Sequence, residues 1–373
     1  PRRWGKIRVI FPRSRTRRHS RTLLAPSEYE GSPTRGYLDT ATYGLPPRSA
    51  LAAIEEALAG WRDRGSWIDW EADGERCREL FARIVGAAPR DIAFVAAASV
   101  AAGIVAASLP AEEGANVVLY ERDFDSVLFP WQSLAERGIE LRRLPLERLA
   151  AGIDDRTALV AVSLVQSADG RMPDLEALKA SGARLFLDGT QAVGGTAVDL
   201  DGVDYLVAHS YKWLLSPRGL AFFYVRPDRL DEITPWLAGW KSRSDPFEDY
   251  YGAPELAPDA HRLDVSLPWF STSGARASLE LIAGLGPEAI GEHNLGLARS
   301  FAAELGLAEP QSPIVRVQVE NADDAVERLK RAGVACSARS GSIRFAFHLY
   351  NDEEDVALAL EALRPAAAVR SEP

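Results

Sequence analysis

The sequence contains little cysteine, methionine or histidine: two, one and five residues, respectively, in a chain of 373. The two cysteines, Cys77 and Cys336, lie far apart. The chain therefore cannot build a disulfide framework or a metal site with four cysteine ligands. We expect a protein of a reducing compartment, the cytoplasm, and we expect no metal.

Acidic residues are missing from positions 1–22, which contain nine Lys and Arg. The rest of the chain has 34 basic and 53 acidic residues. Such an acidic body argues against nucleic acid as a partner. We expect residues 1–35 to form a flexible basic extension, with a targeting peptide or a polyanion-binding arm as the alternative.

Long runs of strongly apolar residues are also absent. The uncharged stretch 92–111 is long enough to cross a bilayer, but Ala, Gly and Ser dominate it. Its opening Ile-Ala-Phe-Val is typical of a short strand that leads into a helix of small residues. We therefore expect a soluble protein that does not cross a membrane.

Strand and helix patterns alternate through the middle of the chain. This alternation predicts an α/β fold with a mainly parallel sheet covered on both faces. After residue 255 the pattern changes to an α+β segment, so we predict a large domain at 36–255 and a smaller one at 256–373. The predicted strands of the large domain lie at 116–120, 159–165, 184–187, 205–208 and 220–225, with helical spacing at 131–137 and 174–179.

Asp188 follows one predicted strand and Lys212 follows the next, 24 residues later. This spacing brings both side chains to the carboxyl edge of the sheet, where open α/β sheets bind ligands. Pyridoxal 5′-phosphate (PLP) needs a lysine that holds its aldehyde as a Schiff base and an acid that keeps its pyridine nitrogen protonated. The pair alone is also compatible with a helix cap and a solvated cation.

The motifs around this pair resemble the class V aminotransferases, which are fold-type-I PLP enzymes that include cysteine desulfurases, kynureninases, isopenicillin N epimerase and cysteine-conjugate lyases. The resemblance covers residues 37–363. It is carried by Tyr-Leu-Asp-Thr-Ala at 37–41, Asp-Gly-Thr-Gln-Ala at 188–192 and Ser-Tyr-Lys-Trp-Leu at 210–214, followed by Pro-Arg-Gly at 217–219. It implies the fold of a PLP-dependent transferase and a homodimer.

The resemblance also implies roles for single residues. Lys212 corresponds to the Schiff-base lysine, Asp188 to the partner of the pyridine nitrogen, and Gln191 to a donor to the phenolic oxygen of the ring. Ala98 and Ser99 occupy the small-residue turn that binds the phosphate, where the family usually has hydroxyl residues. His209 is in register with a phosphate ligand, although a histidine satisfied within the fold is the alternative.

Two further positions match the family at its ends. Phe124 takes the place of the aromatic residue above the ring; it can stack but cannot move protons, and a core residue is the alternative. Arg344 corresponds to the arginine that binds the α-carboxylate of the substrate, since its fork fits a carboxylate bidentately. For Arg339, five residues earlier, a solvated surface arginine is favoured over a place at the same entrance.

Desulfurases of the family carry a nucleophilic cysteine on a loop before this arginine. Here Cys336 lies in an apolar strand pattern, which favours a buried, inert thiol. We predict a PLP enzyme that acts on an α-amino acid, with β-elimination from a cysteine-derived substrate as the main hypothesis. Transamination, epimerisation and a non-catalytic binding module are the alternatives.

Overall fold

The structure is a computed structural model that describes residues 24–110, 114–248, 250–253 and 255–364. Its larger sheet has seven strands in the order β1-β7-β6-β5-β4-β2-β3. Strands β2 to β6 run parallel, whereas β7 is antiparallel to both of its neighbours. The strands are β1 (Ile92–Val95), β2 (Asn116–Tyr120), β3 (Glu140–Leu144), β4 (Thr157–Ser163), β5 (Leu185–Asp188), β6 (Tyr205–His209) and β7 (Ala221–Val225).

Helices cover both faces of this sheet, which confirms the predicted α/β fold. The strands β1, β2, β5 and β7 are buried along their whole length, as their continuous apolar sequences require. The α-helices as far as residue 285 are α1 (Arg48–Arg62), α2 (Trp67–Val85), α3 (Ala98–Ser108), α4 (Asp125–Leu128), α5 (Leu175–Ala180) and α6 (Trp269–Leu285).

Side chains alternate between two large cores, one on each face of the sheet. Ile92 and Phe94 of β1 face the core that contains α2 and α6, whereas Ala93 and Val95 face the core that contains α3. Successive strand residues point to opposite faces, which produces this division. Trp131, which is fully buried, fills the α3 side.

A second sheet of three antiparallel strands follows in the order β8-β10-β9. It has its own apolar core, to which α7, α8 and α9 contribute. The elements are α7 (Pro287–Glu304), β8 (Ile314–Gln318), α8 (Ala322–Arg331), β9 (Ser337–Arg339), β10 (Ser342–Ala346) and α9 (Glu353–Leu363).

The limits of the two predicted domains remain a proposal, but several contacts bear on them. Helix α6, after the proposed boundary, packs against α1 and α2, which precede it.

Residues 1–23 of the predicted extension lie outside the described residues. In the rest of that extension, Tyr29 is buried and Arg35 forms a salt bridge with Asp352 at 2.5 Å. Residues 24–35 therefore pack on the body of the protein.

Two local predictions differ in detail from the structure. The helical stretch 131–137 is part of a 3₁₀-helix, Phe129–Arg137, with Pro130 in its first turn. The apolar strand pattern around Cys336 predicts a strand that includes this residue, but β9 begins only at Ser337, because Ala335 pairs instead with the segment around Tyr37. The backbone N–H of Ala335 donates to Gly36 at 2.8 Å, so its partner lies outside the small sheet.

A buried ion pair joins α2 to the start of the sheet. Arg78 Nη2 lies 2.6 Å from Asp264 Oδ2, with side-chain exposures of 1% and 0%. Asp264 also accepts a hydrogen bond from the Phe94 backbone at 2.8 Å. The carboxylate thus holds a helix and strand β1 together.

We expect Asp264→Ala to lower the free energy of unfolding by about 3 kcal/mol, because it leaves Arg78 charged and buried without this partner. Urea unfolding measures the loss. Glu79→Ala is the matched control, since the Arg76–Glu79 pair is about half exposed, and its removal should cost less than about 1 kcal/mol. Equal losses in the two variants would contradict this account.

Candidate functional site

The carboxyl ends of several strands meet at one edge of the large sheet. Helix α3 begins at Ala98 just after β1, Phe124 follows β2, and Ser163, Asp188 and His209 end β4, β5 and β6. All five residues line one cavity of about 590 Å³. The parallel direction of these strands therefore gathers the predicted site residues from distant parts of the sequence.

A second cavity of about 600 Å³ adjoins the first. The two share six lining residues: Phe124, Ser167, Gln191, Tyr211, Lys212 and Arg218. The first extends to the start of α3, whereas the second extends to the small sheet, where Arg339 and Arg344 line it. Lys212 therefore lies where the two spaces meet.

The amine of Lys212 is buried, and burial lowers its pKa to about 8. Asp188 opposes this shift, whereas the guanidinium groups of Arg344, Arg339 and Arg218 add to it. The turn that carries the lysine packs closely: Gly44 donates to the Tyr211 carbonyl at 2.9 Å, and a Cβ at Gly44 would clash with the Lys212 carbonyl. The lowered pKa favours a neutral, nucleophilic amine.

Asp188 is the last residue of β5, and Gln191 lies in the loop that follows. Asp188 Oδ1 accepts from the Thr190 backbone at 2.8 Å, which fixes the carboxylate. The indole of Trp213 donates to Gln191 Oε1 at 2.8 Å, and Gln191 Nε2 donates to the Ala41 carbonyl at 3.0 Å. Because an indole N–H can only donate, it determines which way the amide of Gln191 faces.

The start of α3 forms the other end of the first cavity. Its N-cap residue, Ala97, makes no side-chain capping hydrogen bond, and Ser99 brings a single hydroxyl. His209 accepts from the Ala98 N–H at 3.3 Å through Nε2, so this nitrogen is already engaged within the fold. Burial lowers the pKa of His209, which keeps the ring neutral.

Phe124 is half-exposed and lines both cavities, which contradicts the core alternative. Lys212 Nζ lies 5.5 Å from the centre of its ring. The preceding residue, Asp123, is buried and accepts from the backbones of Phe124 and Ser163 at 2.7 and 2.8 Å. Asp123 thus fixes the position from which the aromatic ring projects.

Arg344 is almost fully buried at the wall of the second cavity. Its Nη1 donates to the Ser167 carbonyl at 2.8 Å, and its Nη2 donates to Asp39 at 3.1 Å and to Thr42 at 2.6 Å. Its Nε has no hydrogen-bond partner among the described residues. An unpaired buried donor is costly, so the guanidinium retains capacity for a ligand oxygen.

Four further residues, a cysteine, two tryptophans and an arginine, do not line the first cavity. Cys336 is partly buried, and burial raises the pKa of its thiol to about 12. Trp240 and Trp269 pack around Trp67, at ring distances of 6.2 and 6.3 Å, and do not contribute to the described lining of the two cavities. Arg339 is exposed at the second cavity and donates to Thr42 at 3.3 Å.

Sequence reasoning missed several residues that complete the site. Asp39 and Trp213 lie inside the quoted motifs, but nothing in those motifs shows that they contact Arg344 and Gln191. Thr42 follows the first motif directly and could have been included with it. Ser167 contributes its backbone carbonyl, which leaves no signal in the sequence.

The residues present fit PLP by their chemistry: Lys212 is a buried lysine with a lowered pKa, the Asp188 carboxylate is fixed by the backbone, and the start of α3 has no side-chain cap. For the amino-acid substrate, Arg344 offers a buried donor without a partner among the described residues. Among the described residues, no group of three or more His, Cys, Asp or Glu is placed to hold a metal ion. In the same part of the chain, no helix is both long and apolar enough to cross a membrane.

Comparison with known proteins identifies the class. The family model "Aminotransferase class-V" matches residues 37–358, so the chain belongs to this family. It is therefore a PLP-dependent enzyme, and the alternative of a non-catalytic binding module is not retained.

Individual relatives cover most of the chain. It is 32% identical to an uncharacterized aminotransferase, YcbU, of Bacillus subtilis, over 85% of this chain and 91% of that protein. It is 28% identical to isopenicillin N epimerase of Streptomyces clavuligerus, over 89% and 94%. A solved complex of the cystine C–S lyase C-DES has the same fold, with a TM-score of 0.81, 21% identity and coverage of 90% and 99%.

We expect the rate at which the cofactor-free protein combines covalently with PLP to rise with pH around a midpoint near 8. The neutral amine is the nucleophile, and the pKa of Lys212 is lowered to about 8 from an ordinary value of 10.5. The absorbance of the bound cofactor, followed over a pH range that spans both values, measures the rate. Lys212→Ala should show no attachment and Lys330→Ala, at an exposed site, should behave as the parent; a midpoint near 10.5 would contradict the prediction.

Proposed function

We propose that the protein catalyses β-elimination from a cysteine-derived α-amino acid, so that an S-substituted cysteine and water give pyruvate, ammonium and a thiol. PLP, when bound, supplies an electron sink that weakens the bonds at the substrate Cα. The residue roles that follow are part of the proposal. Lys212 and Asp188 are central to it.

Each residue has a separate task. The neutral amine of Lys212 accepts the Cα proton, for which its low pKa suits it. Asp188 pairs with the pyridine nitrogen and Gln191 donates to the phenolic oxygen of the cofactor. Ala98, Ser99 and His209 border the phosphate, Phe124 stacks on the ring, and Arg344 binds the substrate carboxylate.

The raised pKa values of the two cysteine thiols favour elimination over desulfuration. A desulfurase needs a thiolate nucleophile, but burial raises the pKa of Cys336 to about 12. Burial also raises the pKa of Cys77, which is fully enclosed in the core. The chain has no other cysteine, so neither thiol is prepared to take sulfur from the substrate.

Epimerisation and transamination use the same site and remain the second candidates. The 28% identity to isopenicillin N epimerase over 89% of the chain favours the former. An epimerase must return a proton to the opposite face of Cα, and a phenylalanine at position 124 cannot supply it. This favours elimination, in which one base is sufficient to remove the proton.

We further propose a homodimer in the cytoplasm. Several aromatic side chains are exposed on the described surface of the single chain. They include Trp61, Trp236, Phe247 and Tyr251, with exposures of 63%, 60%, 49% and 97%, and aromatic residues of this kind are enriched at protein interfaces. The two free cysteines are compatible with a reducing compartment.

A product screen with the PLP-loaded protein tests the reaction. With cystine and S-alkyl cysteines we expect pyruvate and ammonium in equal amounts, because elimination releases the sulfur as a thiol or persulfide product. Alanine with enzyme-bound sulfur would identify a desulfurase. A 2-oxo acid that still carries the sulfur substituent would identify a transaminase, and an inverted amino acid would identify an epimerase.

Cys336→Ser should retain most pyruvate formation, since the thiol takes no part; loss of sulfur release in that variant would overturn the proposal.

We expect Arg344→Ala to weaken binding of every α-amino acid substrate by ~1.5–3 kcal/mol, because a charged hydrogen bond to the carboxylate is lost. The variant also leaves Asp39 without its cationic partner at the wall of the cavity, which adds repulsion. Initial rates over a range of substrate concentrations give the KM. Arg344→Lys keeps the charge without the fork and should be intermediate, whereas an unchanged KM in both variants would remove Arg344 from carboxylate binding.

A further inference from the structure

The phosphate end of the first cavity lacks the side chains that usually hold a phosphate dianion. The turn at the start of α3 provides two alanines, Ala97 and Ala98, and only Ser99 has a hydroxyl. The N–H of Ala98 donates to His209, and that ring is kept neutral by burial. Backbone N–H groups and the helix dipole attract an anion, but no full positive charge comes from these residues.

Arg218 lies beside this turn because of the pairing of two strands. Strands β1 and β7 are antiparallel, with Val95 opposite Ala221. Continuing the same register for two residues places Gly219 opposite Ala97, so Arg218 follows at the level of the first turn of α3. Arg218, Gly219, Ala98 and Ser99 accordingly line the same cavity.

Contacts between rings connect the guanidinium with the same end of the cavity. Arg218 Cζ lies 4.6 Å from the centre of the Tyr211 ring. The Tyr211 ring in turn meets the His209 ring edge to face at 5.1 Å, and His209 contacts Ala98. The Tyr211 ring thus packs against the guanidinium of Arg218, a contact that aromatic rings and guanidinium groups commonly make.

The guanidinium of Arg218 has no anionic partner among the described residues. It forms no salt bridge there, whereas Arg344 in the same region pairs with Asp39. The side chain is exposed, so its donors are accessible to a ligand. Its positive field also contributes to the lowered pKa of both Lys212 and His209, which an anion bound nearby would relieve.

We propose that Arg218 binds the phosphate of PLP and supplies the charge that the turn at 97–99 lacks. Once Lys212 is bound to the cofactor, Arg218 is the remaining basic side chain, apart from His209, in the described lining of the first cavity. Its planar fork can donate two hydrogen bonds to phosphate oxygens. This role depends on the cofactor and not on which reaction the enzyme catalyses.

The test compares PLP with pyridoxal, which has the same ring and aldehyde but no phosphate. Cofactor is removed from the full chain, and the dissociation constants of both ligands are measured by absorbance titration for the parent, Arg218→Gln and Arg218→Lys. We expect Arg218→Gln to weaken PLP roughly 10- to 100-fold while pyridoxal changes little, because only the phosphate contact is lost. Arg218→Lys should recover part of the loss, since it keeps the charge.

Arg339→Gln is the matched control. Arg339 is also an exposed arginine that lowers the pKa of Lys212, but it lines the second cavity and not the first. Its removal should therefore leave the ratio of the two dissociation constants unchanged. Thermal unfolding of the cofactor-free variants checks that each is folded.

Three outcomes would overturn the role of Arg218. Equal weakening of PLP and pyridoxal by Arg218→Gln would show that the arginine acts on the lysine or on the packing of Tyr211. The same change of ratio in Arg339→Gln would show only a general effect of positive charge. Unchanged binding of PLP, together with a raised KM for the amino acid, would assign Arg218 to the substrate.

Discussion

The site depends on a buried chain of hydrogen bonds that passes through Trp213, the residue after the lysine. The indole orients Gln191, which in turn donates to the Ala41 carbonyl. On the other side, His348 Nε2 donates to the Trp213 carbonyl at 3.0 Å, and its Nδ1 accepts from Asn294 at 3.2 Å. Burial lowers the pKa of His348 to about 3, so the ring stays neutral, with one donor and one acceptor, and both are used. The lysine turn is thereby fixed to the edge of the large sheet and to the segment that leads out of the small one.

Arg344 of β10 makes a second connection between the two sheets, because its Nη1 donates to the Ser167 carbonyl just after β4, and its guanidinium also pairs with Asp39. Asp39 forms a bridge with Ala346 of β10, and Ser337 of β9 donates to its carboxylate as well as accepting from Arg344. The arginine is thus positioned by groups from the start and the end of the chain. A fork held this firmly would lose little conformational entropy on binding the substrate carboxylate that we propose for it.

Much of this arrangement could be predicted because strand patterns and strand ends are local features. Asp188 and Lys212 each follow an apolar run, and the direction of parallel strands brings such positions to one edge. The partners of these residues are long-range contacts, and no local pattern contains them: Asp39 meets Arg344 across 305 residues. The same distinction explains the late start of β9, since Ala335 pairs with a segment almost 300 residues earlier. Arg218 was visible in its motif, but its place beside α3 follows only from the register of β1 with β7.

Burial has opposite chemical consequences for the nucleophiles of this chain. It disfavours the charged form of any group, and for a lysine the disfavoured form is the unreactive ammonium. The pKa of Lys212 falls to about 8, which increases the reactive amine near neutral pH. For a cysteine the disfavoured form is the reactive thiolate, and the pKa of Cys336 rises to about 12. Neighbouring charges reinforce this only in part: Asp188 opposes the fall in the pKa of Lys212 while three arginines add to it, and Asp39 adds to the rise in the pKa of Cys336. One physical effect, burial, therefore favours a reactive amine at Lys212 and an unreactive thiol at Cys336.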